Sequence, residues 1–434
     1  GTLTSDLTIE TSGLYRGLVF DTSSNVAYFN KTTVGAIAST MAGYEKRDQV
    51  LDAGANAGYS NGDASQGGFG NSIDMSADGT RMIVGNGHYT DSVGRVSLYH
   101  LENSLWVLKQ TWNSGTSLGS QVAMNEAGTR AFAIHTGGSG GVKIWDYSSG
   151  AWATSASGTY AITPGSISGE VPAVDCNKTG DVVIIGAGNS NNTWIYRLSG
   201  GSWSSEKNFP RRGSGVSMNG AGTRCFMGDR SSHKVWESNY SSGSWGTETE
   251  IISESSFSGY WPASLSTDSV GETVCIKGGN SGNGAIYERA GNGSWSASVS
   301  GILSRTEVYG TDKVALSYDG TVALFGHMQN TNALSTGGHV IRYTKSGSTW
   351  SLTQTLLNPS TSQNSTDYFG SGTGLAKTAK DRFVIAAMGD DNAGTNYGAI
   401  YTYTNAIPNF ISFDTYNKLS LSGITNPTSK IHAL

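Results

Sequence analysis

The chain has 434 residues with a formal net charge of −5; only 14% of them are charged and 37% are hydrophobic, while glycine takes 60 positions and proline 7. No run of about 18 apolar residues occurs, so the sequence holds no membrane-spanning helix. Net negative charge without a basic cluster argues against nucleic acid as a partner, and the glycine excess points to a chain dense in tight turns.

In chain order, residues 1–43 read as a β-rich extension, with short strands at 7–10, 17–21 and 25–30, each Thr/Ser/Asn-rich or ending in a polar turn. Residues 44–52 form a further strand, Tyr44-Glu45-Lys46-Arg47-Asp48-Gln49-Val50-Leu51 being its core. From about residue 69 a single pattern then recurs. An alternating apolar stretch such as Ile73-Asp74-Met75-Ser76 leads into a Gly turn, which is followed by a continuous apolar run such as Val182-Val183-Ile184-Ile185. A loop of variable length comes next, then a strand ending near an aromatic, then a short Ser/Gly turn and a strand opening with Trp106, Trp152, Trp203, Trp245, Trp295 or Trp350. The turn glycines Gly79, Gly128, Gly180, Gly222, Gly271 and Gly320 lie 42 to 52 residues apart, and Ala379-Lys380-Asp381 marks a seventh, degenerate copy. Asp-Gly and its equivalents predict a two-residue hairpin at each of these turns.

Four antiparallel strands at this period define a propeller blade, so the expected fold is all-β, a seven-bladed β-propeller of four-stranded blades. The seventh copy lacks its Trp strand, and residues 44–52 match the segment 350–357 in the aromatic, the Gln and the final Leu. The N-terminal strand is therefore expected to complete the last blade and close the ring, giving a propeller over 44–405 flanked by β-rich extensions at 1–43 and 406–434. The chain ends within strand-like sequence, as a processed product or part of a longer protein would.

Catalytic and metal motifs are missing from this pattern. The seven histidines accompany no His-Glu-x-x-His, Gly-x-Ser-x-Gly or P-loop signature. Carboxylates do not recur at blade-equivalent positions: the innermost strand supplies Asp74 and Asp175, where other copies carry Ala123, Ser217, Ser264 or Ala315. Cys176, Cys225 and Cys275 read as small buried hydrophobes, the last two at equivalent positions in neighbouring copies. The expectation is no enzyme, no cofactor and no metal.

Phe69-Gly70-Asn71-Ser72-Ile73, Asp78-Gly79-Thr80, Ile83-Val84-Gly85 and Gly94-Arg95-Val96-Ser97-Leu98-Tyr99 resemble the FG-GAP repeat of integrin alpha-chain propellers and their bacterial and viral relatives. Phe369-Gly370-Ser371-Gly372 with Gly398-Ala399-Ile400-Tyr401 repeats the resemblance in the last copy. It implies a seven-bladed propeller and extracellular adhesion or display. The calcium-holding Asp-x-Asp-x-Asp-Gly loop of many such repeats does not occur, and Asp390-Asp391-Asn392, the nearest oxygen cluster, reads as a solvated loop. The flanks resemble the stalk and fibre modules of virion structural proteins of phages and large algal viruses.

An up-and-down blade sorts its connections onto two faces, and here one class is short and uniform while the other is long and irregular. Function ordinarily sits on variable loops carried by a rigid scaffold. On the variable face the candidate binding residues are Asn86, His88, Tyr89, His135, Asn191, Asp229, His233, Tyr260, Trp261, His327, Asp390, Asp391 and Asn392, types that hydrogen-bond to or stack on sugars. The paired site Arg211-Arg212 reads as a loop decoration. The function expected is a non-enzymatic structural or adhesion module, extracellular or on a virion surface. It would join other structural subunits through its extensions and meet a glycan or protein receptor through the variable face, without nucleic acid or membrane insertion. The alternatives are a lectin or a glycan-active, glycosidase-like enzyme.

Overall fold

The computed structural model describes residues 14–21, 26–32, 46–52, 68–87, 94–114, 118–137, 140–154, 161–165, 167, 172–254, 261–278, 283–302, 313–328, 337–359, 367–390 and 398–404. The chain divides into two compact units, Gly1–Tyr44 with Ala406–Leu434, and Glu45–Asn405. In the first, Leu14–Asp21 pairs antiparallel with Val26–Thr32. The other strands expected at 7–10 and beyond 406 lie outside the described residues.

The second unit is a seven-bladed β-propeller, and its described residues contain no helix. The first strands of blades 1 to 7 are Ser72–Met75, Leu118–Met124, Pro172–Cys176, Gly215–Met218, Ser264–Thr267, Val314–Leu316 and Phe369–Leu375, and each opens a four-stranded antiparallel sheet. Blade 4 varies the plan, its outermost strand being split into Ser244–Trp245 and Thr249–Ser253. Blade 7 is completed by Lys46–Asp52, which pairs antiparallel with Ala399–Thr404 in the register Leu51↔Ile400. The ring is thus closed by its own N-terminal strand.

Seven hydrophobic clusters hold the described blades, one at each junction between neighbours. The apolar second strands supply both sides: alternate residues of Val182–Ala187 enter the cluster with blade 2 and the cluster with blade 4. The Trp residues that open fourth strands reach back to the preceding blade. Trp152 Nε1 donates to His100 Nε2 at 3.0 Å, and Trp245 Nε1 to Glu206 Oε2 at 2.9 Å. Cys225 and Cys275 are not equivalent as expected. Cys225 opposes Met218 and faces the junction with blade 3, whereas Cys275 opposes Ser266, one register step on, and faces blade 6.

The Gly turns also differ from expectation. Between Ser76 and Arg81 the connection has four residues, closed by Ser76 N donating to Arg81 O at 2.9 Å. Gly79 has φ +67°, but Asp78 is not in the left-handed region, and a type I′ turn needs both. The residue ahead of the turn provides the reason: Ser76 Oγ accepts from the amides of Thr80 and Arg81 at 3.2 and 3.0 Å. Asn125, Asn177, Asn219, Asp268 and Ser317 cap their turns in the same way. The two-residue hairpins are instead the connections to the fourth strands, where Asn103-Ser104 and Gly200-Gly201 both take positive φ.

The turn face is locked around the axis. The amide of Ala77 donates to Glu126 O, Glu126 to Lys178, Lys178 to Gly220, Gly220 to Ser269, Ser269 to Tyr318, and Tyr318 to Lys377, at 2.8 to 3.0 Å. Thr378 N closes the circle on Ala77 O at 2.8 Å. At every junction a backbone hydrogen bond therefore runs the same way round the ring.

Candidate functional site

On the axis, first strands from all seven blades enclose a cavity of about 100 Å³. Register places Ile73, Val122, Val174, Val216, Leu265, Val314 and Thr373 in one belt, and Asp74, Ala123, Asp175, Ser217, Ser266, Ala315 and Gly374 in the next. Ser266, not Ser264, is thus the counterpart of Asp74, because Ser266 opposes Cys275 as Asp74 opposes Ile83. At the variable-face end Lys313 Nζ donates to Gln121 Oε1 across the ring at 3.1 Å. At the turn-face end Lys377 stands 5.2 Å from the centre of the Tyr318 ring.

Both channel carboxylates tie blades together. Asp74 Oδ1 accepts from Met75 N at 2.9 Å, and Oδ2 accepts from Met124 N of blade 2 at 2.8 Å. Asp175 Oδ1 accepts from Cys176 N at 2.8 Å, while Oδ2 accepts from Met218 N and Ser217 Oγ of blade 4 at 2.9 and 3.0 Å. Ser217 passes the relay on by accepting from Thr267 N at 3.1 Å, as Ser266 does from Leu316 N at 3.1 Å. Burial, reinforced by Asp175, raises the Asp74 carboxyl above its usual range, with Lys377 and the two amides opposing it. Burial also works against the charge of Lys377, but Tyr318, Asp74 and Asp175 outweigh it and keep the ammonium above the usual lysine range. Lys377 and the two structural carboxylates thus line the same axial cavity.

The candidates on the variable face divide sharply. Asn86, His135, Asp229 and His327 end the second strands of blades 1, 2, 4 and 6 as the repeat predicts, yet all are buried, between 3% and 9% exposed. Their side chains belong to the packing beneath the rim. Trp261 is fully buried in the junction between blades 4 and 5, and Asp390 is buried with Tyr401 Oη donating to its Oδ2 at 2.5 Å. Neither presents a platform to a ligand. His88, Tyr89, Tyr260, Asp391 and Asn392 lie outside the described residues. Asn191 is exposed and His233, held at φ +57°, is partly so.

Those last two residues belong to the same sector, where blades 3 and 4 meet, and residues missed by the sequence reading join them there. Arg212 Nε donates to Asn191 Oδ1 at 3.3 Å, and Arg230 Nη2 donates to Asn189 Oδ1. Arg211 lies 3.7 Å from the centre of the Trp236 ring and donates through Nε to Glu248 Oε1 at 3.0 Å. Arg211-Arg212 is therefore an anchored element rather than a loose decoration. Its dibasic pair on a variable-face connection was the only signal available, and its convergence with Arg230 depends on the fold. Among the described residues no group of three or more His, Cys, Asp or Glu side chains is placed to hold a metal ion.

No protein-family model and no curated protein matches the chain. Among solved structures, a Bacteroides uniformis protein provisionally assigned as a 6-phosphogluconolactonase is 14% identical, over 65% of this chain and 83% of that one, with a TM-score of 0.49. A Lactobacillus plantarum protein is 13% identical over 81% and 94% respectively, also with a TM-score of 0.49. At that distance neither bears on the activity of this chain, whose class is that of the seven-bladed propellers.

Proposed function

We propose that this chain is a non-enzymatic display or adhesion module of FG-GAP-like type, working outside a cell or on a virion surface. Its terminal extensions join other structural subunits, and its variable-loop face meets a glycan or protein receptor. The observation that supports this most is the contrast between the two ends of the ring. The turn face uses its polar groups in capped turns and a closed circle of amide bonds, and Asp74 and Asp175 each engage both oxygens in amide bonds. Exposed Asn189, Asn191 and the neighbouring arginines stand on the opposite face. A rigid ring with its chemistry on irregular loops suits recognition more than turnover.

The rival reading, a glycan-processing enzyme, draws on the two carboxylates facing the axial cavity. A glycan array followed by product analysis separates the two. Saturable binding without product is expected; release of shortened saccharide, abolished by Asp74→Asn or Asp175→Asn, would overturn the proposal.

A further inference from the structure

We propose that the axial cavity is a binding site for a small neutral polyol of about three or four carbons. Its hydroxyl oxygens accept from the Lys377 ammonium and the Ser266 hydroxyl, and its hydroxyl protons go to the carboxylates of Asp74 and Asp175.

Lys377 is the group that calls for a ligand. An ammonium carries three N–H donors, and buried polar groups are ordinarily hydrogen-bonded. Lys109, Lys234 and Lys380 meet Glu102, Glu250 and Asp319 at 2.6, 2.7 and 2.6 Å. The side chain of Lys377 lines the cavity, where burial works against its charge. Yet among the described residues its Nζ donates to no protein oxygen and forms no ion pair, and its contact is the face of Tyr318 at 5.2 Å. Asp74 and Asp175 favour the charge from a distance without taking its protons. Thr373, 6% exposed in the neighbouring belt, adds a buried hydroxyl that the fold leaves without a hydrogen-bond partner.

The other groups of the polar belt also keep capacity in hand. Ser217 spends its proton on Asp175 Oδ2 at 3.0 Å, whereas Ser266, its counterpart in blade 5, accepts from Leu316 N at 3.1 Å and keeps a proton to give. A carboxylate has about four lone-pair sites. Asp74 uses two of them, on Met75 N and Met124 N, and Asp175 uses three, on Cys176 N, Met218 N and Ser217 Oγ, so each retains an acceptor. Those same bonds fix both carboxylates before any ligand arrives, which favours affinity from few contacts.

Charge and size select the ligand. The cavity sets two carboxylates against one ammonium, so an anion meets the carboxylates and a cation meets Lys377. A hydroxyl is neutral and both donates and accepts, so one molecule with several of them satisfies ammonium and carboxylates together. The volume of about 100 Å³ limits that molecule to a few heavy atoms. Ile73, Val122, Val174, Val216, Leu265 and Val314 form the apolar belt that covers its carbon atoms. The site is separate from the variable-loop face, so either can fail without the other.

The test is NMR of the full chain with glycerol and erythritol, and with sodium acetate and methylammonium chloride as charged probes of similar size. Saturable magnetisation transfer to the polyols is expected, with contacts to the methyl groups of Val174, Val216 and Val314 in the unaltered chain. Each charged probe is expected to bind at least about tenfold more weakly, and Lys377→Met to weaken the polyols by about tenfold. Ala315→Leu fills the cavity while leaving Lys377 and both carboxylates in place, and should abolish binding in a folded ring. Acetate or methylammonium bound as tightly as the polyols, no saturable transfer because the cavity holds water alone, or full binding by folded Ala315→Leu would overturn the inference. Should Ala315→Leu not fold, the valine methyl contacts decide, and their absence overturns it.

Discussion

His100 shows how one side chain carries a condition on stability. Its Nε2 accepts from Trp152 Nε1 of the next blade at 3.0 Å, which requires a neutral ring. Burial first, then the cations of Arg81 and Lys109, bring its pKa down to about 4. In the unfolded chain it titrates near 6.5, so below that pH the unfolded state takes up a proton that the folded state refuses, and stability falls as pH drops from about 6.5 to about 4. Melting curves across this range are expected to show a smaller loss in His100→Gln than in the parent; parallel curves would count against the assignment. Lys377 carries the opposite condition. Replacing it by Met leaves Asp74 and Asp175 lining the cavity without its positive charge, at a cost on the order of 2–3 kcal/mol. That cost should grow as pH rises and the Asp74 carboxyl ionises, and Asp74→Asn in the same chain should recover part of it in urea unfolding. A pH-independent loss would point to packing alone.

At the scale of the element, the capped turn is the repeating device. Asn219 Oδ1 accepts from the amides of Thr223 and Arg224, both at 2.9 Å, in a side chain that is buried. Asn219→Ala strands those amides and is expected to cost about 1–3 kcal/mol, whereas Asn219→Asp keeps the acceptor and should cost less; equal losses in chemical denaturation would contradict the capping role. The strands, their order and the sevenfold count could be read from the sequence because alternation, Gly turns and Trp positions are local signals. The turn type could not, since Asp78-Gly79 looks like a two-residue hairpin until Ser76 is seen reaching four and five residues ahead. The candidate site was legible only in part for a related reason. Position along the second strand places Asn86, His135, Asp229 and His327 at the correct end, but whether a side chain points out or under the rim depends on the neighbouring blade. Arg212 and Arg230 meet one turn of blade 3 only after three connections from two blades are brought together, and no local pattern encodes that.

Across the whole molecule, Lys46–Asp52 ties the last blade of the ring to the start of the chain by pairing with Ala399–Thr404. Leu51 is fully buried in the cluster joining blade 7 to blade 1, beside Phe69, Ile73 and Ile400. The same junction is held on the turn face by Thr378 N on Ala77 O and by Arg382 Nη1 donating to Asp78 O at 3.3 Å. Deleting residues 1–52 removes Leu51, worth about 1.5–3 kcal/mol on burial alone, and uncovers the edge of Ala399–Thr404, where unpaired amides invite association with other chains. Deleting residues 1–44 leaves the closing strand in place. The longer truncation should melt several degrees lower and less cooperatively and should associate in solution, while the shorter one keeps the parent transition. A synthetic peptide spanning residues 44–54, added to the longer truncation, should pair with the open edge and restore the transition, because strand addition to an exposed edge uses the same backbone bonds as the native register Val50↔Tyr401 and Leu51↔Ile400. An unchanged melting point in the longer truncation would mean that three strands suffice for blade 7 and that the ring is closed by its inner strands alone.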